Sequence, residues 1–162
     1  MEKRFTVLSI EDNKPDFVLL KNALDEIPDL SLDIININNG KDALDFLYKN
    51  GKFESAPTPN IIILDINLPN IDGKEILKAI KIDENYKSIP VIIFSTSDYY
   101  TDVEEMYKLH ANSYITKTFD IKELFHKIKM IGEYWLKSNE LPDKNNFCFI
   151  NREDKNEDFI NR

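Results

Sequence analysis

Four places along the chain carry polar groups able to do chemistry, each directly after an apolar run: Glu11-Asp12, Asp65, Ser95-Thr96-Ser97 and Lys117. Three carboxylates crowded into one site would repel one another, and a hard divalent cation with oxygen ligands relieves such repulsion. A cluster of this kind needs Glu11, Asp12 and Asp65 to meet, although 53 residues separate Asp12 from Asp65. Any one of these acids could equally be a solvated loop residue or a helix cap. The joint pattern, with polar groups at the ends of successive apolar runs, favours a common site.

The elements that would position these groups follow from hydrophobic period. Phe5–Ile10, Leu32–Ile37, Asn60–Asp65, Pro90–Ser95 and Asn112–Thr116 are short β-branched or apolar runs. Between them lie helical stripes: Phe17, Leu20, Leu24 and Ile27; Ala43, Leu44, Leu47 and Tyr48; Ile76, Leu77 and Ile80; Val103, Met106, Tyr107 and His110. Ile121, Leu124, Phe125, Ile128, Ile131 and Trp135 form the last stripe. Pro15 suits a first helical turn, Asn39-Gly40 signals a turn, and Gly51–Pro59 is an irregular connection. Strands alternating with helices predict an α/β doubly wound, five-stranded parallel sheet. The run Ile61-Ile62-Ile63-Leu64 suits a central strand covered on both faces. In strand order 2-1-3-4-5 the first and third strands are neighbours. Glu11, Asp12 and Asp65 then converge beyond their carboxyl ends, where open sheets of this class bind ligands.

Ile10-Glu11-Asp12-Asn13, Ile62-Ile63-Leu64-Asp65-Ile66-Asn67-Leu68-Pro69, Asp72-Gly73, Ser95 and Tyr114-Ile115-Thr116-Lys117 together resemble the receiver domains of two-component response regulators. The resemblance runs from about Phe5 to Leu136. It includes the spacing, with 30 residues from Asp65 to Ser95 and 22 from Ser95 to Lys117. It implies a flavodoxin-like (CheY-like) fold and a phosphorylation switch. Asp65 matches the phosphoacceptor, Asp12 the direct metal ligand and Glu11 its companion through a metal-bound water. Asn67 matches the position whose backbone carbonyl reaches the metal, which the family implies is Mg²⁺. Lys117 matches the cation that pairs with the phosphoryl group, Ser95 the hydroxyl that moves toward it, and Tyr114 the aromatic switch. Thr96 neighbours Ser95, but strand alternation points it to the other face. The Gly51–Pro59 connection and the Tyr134-Trp135-Leu136 ending look like the single-domain regulators that include partners of cyanobacterial phytochrome kinases. The implied partners are a histidine kinase or phosphotransfer protein, with homodimerisation as a possible output.

This chain departs from the family pattern at two positions. Thr118 stands where a cis proline is usual, and a cis bond before a non-proline costs about 2.5–4 kcal/mol. His110-Ala111 stands where Gly-Ala is common, and histidine enters the left-handed region less readily than glycine. Three other functions compete. A haloacid-dehalogenase-type phosphatase needs an aspartate two positions after its nucleophile, where this chain has Asn67. A DNA-binding regulator needs an output domain, for which the 27 residues after Trp135 are too few and too polar. A phosphorylation-independent docking module on the same fold remains as the alternative. His110 and His126 fall on helical stretches without a histidine-kinase context.

Composition agrees with this class. A net charge of −8 over 162 residues opposes unspecific attraction to nucleic acid. There is no apolar run of the length a membrane span requires, and the lone Cys148 has no partner for an internal disulfide. These features point to the cytoplasm. Residues 1–138 are expected to form the receiver domain and 139–162 a polar tail, with Phe147, Phe149 and Ile150 as candidate anchors.

Overall fold

The computed structural model describes residues 4–143. The suggested anchors Phe147, Phe149 and Ile150, and Cys148, lie outside the described residues. The chain alternates β1 (Arg4–Ile10), α1 (Lys14–Asp25), β2 (Ser31–Ile37), α2 (Gly40–Tyr48), β3 (Ile61–Leu64), α3 (Gly73–Ile82), β4 (Val91–Ser95), α4 (Tyr100–Lys108), β5 (Ser113–Thr116) and α5 (Ile121–Glu133). All strand pairs are parallel, and the order is β2-β1-β3-β4-β5, as the sequence predicts.

The three central strands are largely apolar because both faces of the sheet are covered. On one face Leu8, Ile10, Ile62, Leu64, Val91 and Ile93 pack against Phe46 and Leu47 of α2, Ile76, Leu77 and Ile80 of α3, and Met106 of α4. Their strand neighbours Phe5, Val7, Ile61, Ile63, Ile92 and Phe94 turn the other way, against Leu20 and Leu24 of α1 and Leu124 and Ile128 of α5. Full burial of each such side chain contributes roughly 1.5–3 kcal/mol. The two cores therefore hold the strand ends rigidly enough to present side chains at fixed separations.

Helix ends follow the local chemistry, with some differences from the sequence reading. Asn13, Asn39, Asp72 and Asp120 cap α1, α2, α3 and α5 by accepting from first-turn backbone N–H groups. Asn39-Gly40 is accordingly the start of a helix rather than a turn. The Gly51–Pro59 connection contains one 3₁₀ turn, Gly51–Phe53. His110 is not on the fourth helical face: α4 ends at Lys108, and His110 adopts φ 69°. There His110 N–H donates to the Tyr107 carbonyl and Ala111 N–H to the Met106 carbonyl, a Schellman ending in which histidine takes the place glycine usually fills. Ile121, assigned by period to the last core stripe, begins α5 beyond the edge of the core and is 67 % exposed. A π-helical turn, Tyr134–Ser138, continues α5 and buries Leu136. The Lys117–Thr118 peptide bond is trans, since the described residues contain no cis bond.

Candidate functional site

The sheet reverses its winding between β1 and β3, so the loops leaving these strands diverge to opposite faces and open a crevice. Glu11 and Asp12 leave β1 and Asp65 leaves β3. Each of the three offers a carboxylate oxygen, and these oxygens lie within 4.8 Å of one another. Glu11 and Asp65 are buried, while Asp12 is exposed at the mouth. The backbone holds this spacing: Asp65 N–H donates to the Ile10 carbonyl and Glu11 N–H to the Ile37 carbonyl, both at 3.0 Å. The Glu11 side chain accepts from Asn13 N–H at 2.9 Å.

Lys117 comes from the end of β5, on the far side of β4, and reaches into the same crevice. Its backbone N–H donates to the Ser95 carbonyl at 2.7 Å, which sets where its side chain departs. Its ammonium meets Glu11 Oε2 at 2.6 Å, Asp16 Oδ2 at 2.9 Å and Asp65 Oδ2 at 3.0 Å. The Phe94 ring lies beneath, with its centroid 4.8 Å from Nζ, adding a cation–π contact. Burial by itself pulls this lysine's pKa down, but the carboxylates outweigh it and hold the ammonium above its usual range. Burial also dominates at Glu11, pushing its carboxyl up to about 7 against the opposing pull of Lys117. A carboxyl displaced this far, with two others at hand, suits a site built to take a cation.

Ser95 is fully buried, and its Oγ accepts from Ser97 N–H at 3.2 Å. Thr96, just beyond the end of β4, is exposed. Asn67 N–H donates to Asp65 Oδ1 at 2.9 Å, and its side-chain amide lies 3.4 Å from Ser95 Oγ. The Tyr114 ring is half-buried, and its hydroxyl donates to the Ser97 carbonyl at 2.8 Å, so it is folded inward over the loop after β4. Gly73 sets the height of α3 above the loop that follows β3. A Cβ there would stand 2.4 Å from the Asp65 carbonyl oxygen and 2.5 Å from Ile66 Cα. The structure thus gathers Glu11, Asp12, Asp65 and Lys117 at one point, with Asn67 and Ser95 adjoining and Tyr114 linked through Ser97.

Sequence reasoning missed Asp16 and Phe94. The available signal for Asp16 was its place in the first turn of the helix that follows Glu11-Asp12, which turns it back toward the strand end. Phe94 gave no signal beyond its position next to Ser95 in an apolar strand.

A family model for the response regulator receiver domain matches residues 7–129. The chain belongs to the response regulator receiver family. It is 38 % identical to Response regulator Rcp1 of Synechocystis over 136 residues, covering 84 % of this chain and 92 % of that protein. Among solved structures, the phosphorylated cyanobacterial phytochrome response regulator RcpA superposes with TM-score 0.84 at 37 % identity, over 87 % of this chain and 100 % of that one. The Mn²⁺-bound form of Rcp1 superposes with TM-score 0.83 at 37 % identity, over 86 % and 99 % respectively. This receiver is therefore a two-component signalling protein, and its three carboxylates are placed to hold a divalent cation. No helix among the described residues is long and apolar enough to cross a membrane.

Proposed function

We propose that this receiver accepts a phosphoryl group on Asp65 from a histidine kinase or phosphotransfer protein and answers by changing a protein-interaction surface. The observation that carries the reading is the meeting of Asp65 with two further carboxylates and a buried lysine, the four residues drawn from the ends of three different strands. In the reaction, an Asp65 carboxylate oxygen forms the new O–P bond as the donor's P–N bond breaks and its electron pair returns to the imidazole. Asp12 and Asp65 would hold Mg²⁺ directly, Glu11 through a water and Asn67 by its backbone carbonyl. A cation held there would neutralise charge on the transferring group. Lys117 would supply a second positive charge from beside Asp65, and Ser95 a hydroxyl for the same group.

The surface able to respond is built from α4, β5 and α5, where Tyr107, Met130 and Tyr134 are exposed and Tyr114 connects to the loop after Ser95. We read this face as the homodimer or partner contact, residues 1–138 as the receiver unit, and the acidic stretch after Asn139 as dispensable for phosphorylation. Incubation with Mg²⁺ and acetyl phosphate is expected to add one phosphoryl mass that is labile to hydroxylamine, and no added mass would refute the reading. Association measured with and without beryllofluoride, in the parent and in Tyr114→Ala, tests the output face. Association indifferent to both would remove the switch role from it.

A further inference from the structure

An ammonium has three N–H donors, and in this molecule each of the three on Lys117 meets a different carboxylate. If Asp65 is the phosphoacceptor, on which this inference rests, two of those carboxylates have another use. Asp65 forms the O–P bond, and Glu11 belongs to the trio whose ligand oxygens lie within 4.8 Å of one another. Asp16 stands outside that trio, and among the described residues its carboxylate pairs with Lys117 alone. It is also the most accessible of the three, with a side chain 29 % exposed against 3 % for Glu11 and 7 % for Asp65. Its position does not depend on the lysine. Asp16 N–H donates to the capping Asn13 side chain at 3.0 Å, and an acid in the first turn of a helix is favoured by the helix dipole.

We infer that Asp16 is a positioning residue that competes with the phosphoryl group for Lys117, and so loosens the hold on the aspartyl phosphate and shortens its life. A dianionic group arriving on Asp65 needs a donor from Lys117, while Asp16 retains one and adds a negative charge beyond it. Asp16 is then a built-in brake on the phosphorylated state.

The test is beryllofluoride affinity at saturating Mg²⁺ in the full chain, read by fluorine NMR of the bound mimic. Asp16→Asn keeps the size and removes the charge; it is expected to bind the mimic about three- to fivefold tighter, the scale of a partly exposed ion pair. Its aspartyl phosphate should hydrolyse more slowly by a similar factor. Asp16→Glu keeps a carboxylate within reach of the lysine and is expected to stay within about twofold of the parent, given the same ion-pair scale. A role confined to steadying the first turn of α1 would make Asp16→Asn bind no better or worse than the parent, and either result overturns the inference. A parent protein that fails to bind beryllofluoride at all would instead overturn the phosphoacceptor reading beneath it.

Discussion

Lys117 and Lys81 are both sheltered from water, and they lie at opposite ends of the same sheet. Lys117 extends beyond the carboxyl end of β5 into three carboxylates, which keep it charged. Lys81, in the last turn of α3, donates to the Lys87 and Ile89 carbonyls at 3.2 and 2.8 Å and to Asn112 Oδ1 at 2.9 Å. All three acceptors are neutral, and burial pushes this ammonium down to about 8. Asn112 Oδ1 also accepts from Val91 N–H, so the second lysine clamps the segments that lead into β4 and β5. One residue type thus does two jobs, decided by the charge of what surrounds it. At the carboxyl ends of the strands it is the shared cation of three carboxylates. At the amino ends it is a tie between loops.

The comparison breaks most sharply on removal of each lysine. Lys117→Ala leaves Glu11, Asp16 and Asp65 without their shared cation, and metal-free stability is expected to fall by about 3 kcal/mol. Added Mg²⁺ should recover much of that loss, while the conformational response to beryllofluoride, followed by hydrogen exchange over residues 95–117, should vanish. Lys81→Met is expected to cost about 1–2 kcal/mol, chiefly through the Ile89 carbonyl that loses its donor, since Asn112 Oδ1 keeps its bond from Val91 N–H. Mg²⁺ should not restore it, and labelling by acetyl phosphate should be unchanged. Denaturant unfolding of both variants, with and without Mg²⁺, measures the contrast. A Lys81 variant that cannot be labelled would erase the division between the two ends.

Within the acidic end, Asp12 and Glu11 are also expected to differ. Asp12 lies open at the mouth, whereas Glu11 is already engaged by Lys117 and Asn13. Glu11→Ala should weaken Mg²⁺ by about tenfold, as loss of an outer-shell carboxylate does, and Asp12→Ala by more. Calorimetric titration decides the ranking, and equal affinities would contradict it.

A smaller effect separates the two ends by pH. Glu11 keeps its proton more tightly in the folded chain, so between pH 4.5 and about 7 the folded state binds more protons than the unfolded one. Its contribution to stability is therefore present at low pH and is lost as pH rises through about 7, and a cation that must displace this proton binds more strongly across the same window. Lys81 gives the opposite slope higher up: it releases its proton earlier when folded, so its contribution rises from about pH 8 toward 10.5. Unfolding free energies of metal-free parent, Glu11→Gln and Lys81→Met should show each variant losing its own slope. A slope that survives its substitution would belong to another group.

The two ends also differ in how far the sequence discloses them. Asp65 and Glu11 stand at the ends of apolar runs, and strand period with parallel winding is enough to bring them together. Ser95 could be preferred over Thr96 because alternation points the two to opposite faces of the sheet. Asp16 was not legible as a partner of Lys117, because that contact needs the angle at which α1 leaves its cap. The Lys81 clamp was less legible still, since two of its three acceptors are backbone carbonyls, which carry no residue signature. His110 fits the helical period of α4 in sequence, and only the backbone reversal at φ 69° removes it. Periodicity reports which face a residue would occupy, but not where the helix stops.

The most direct measurement of the central claim is the position of the phosphoryl group itself. Labelling with acetyl phosphate and Mg²⁺, followed by borohydride reduction, converts an aspartyl phosphate to homoserine, which peptide mass analysis locates. The expected result is homoserine at position 65 alone, with none formed in Asp65→Asn. Conversion at position 12 or 16, or undiminished labelling of Asp65→Asn, would contradict it.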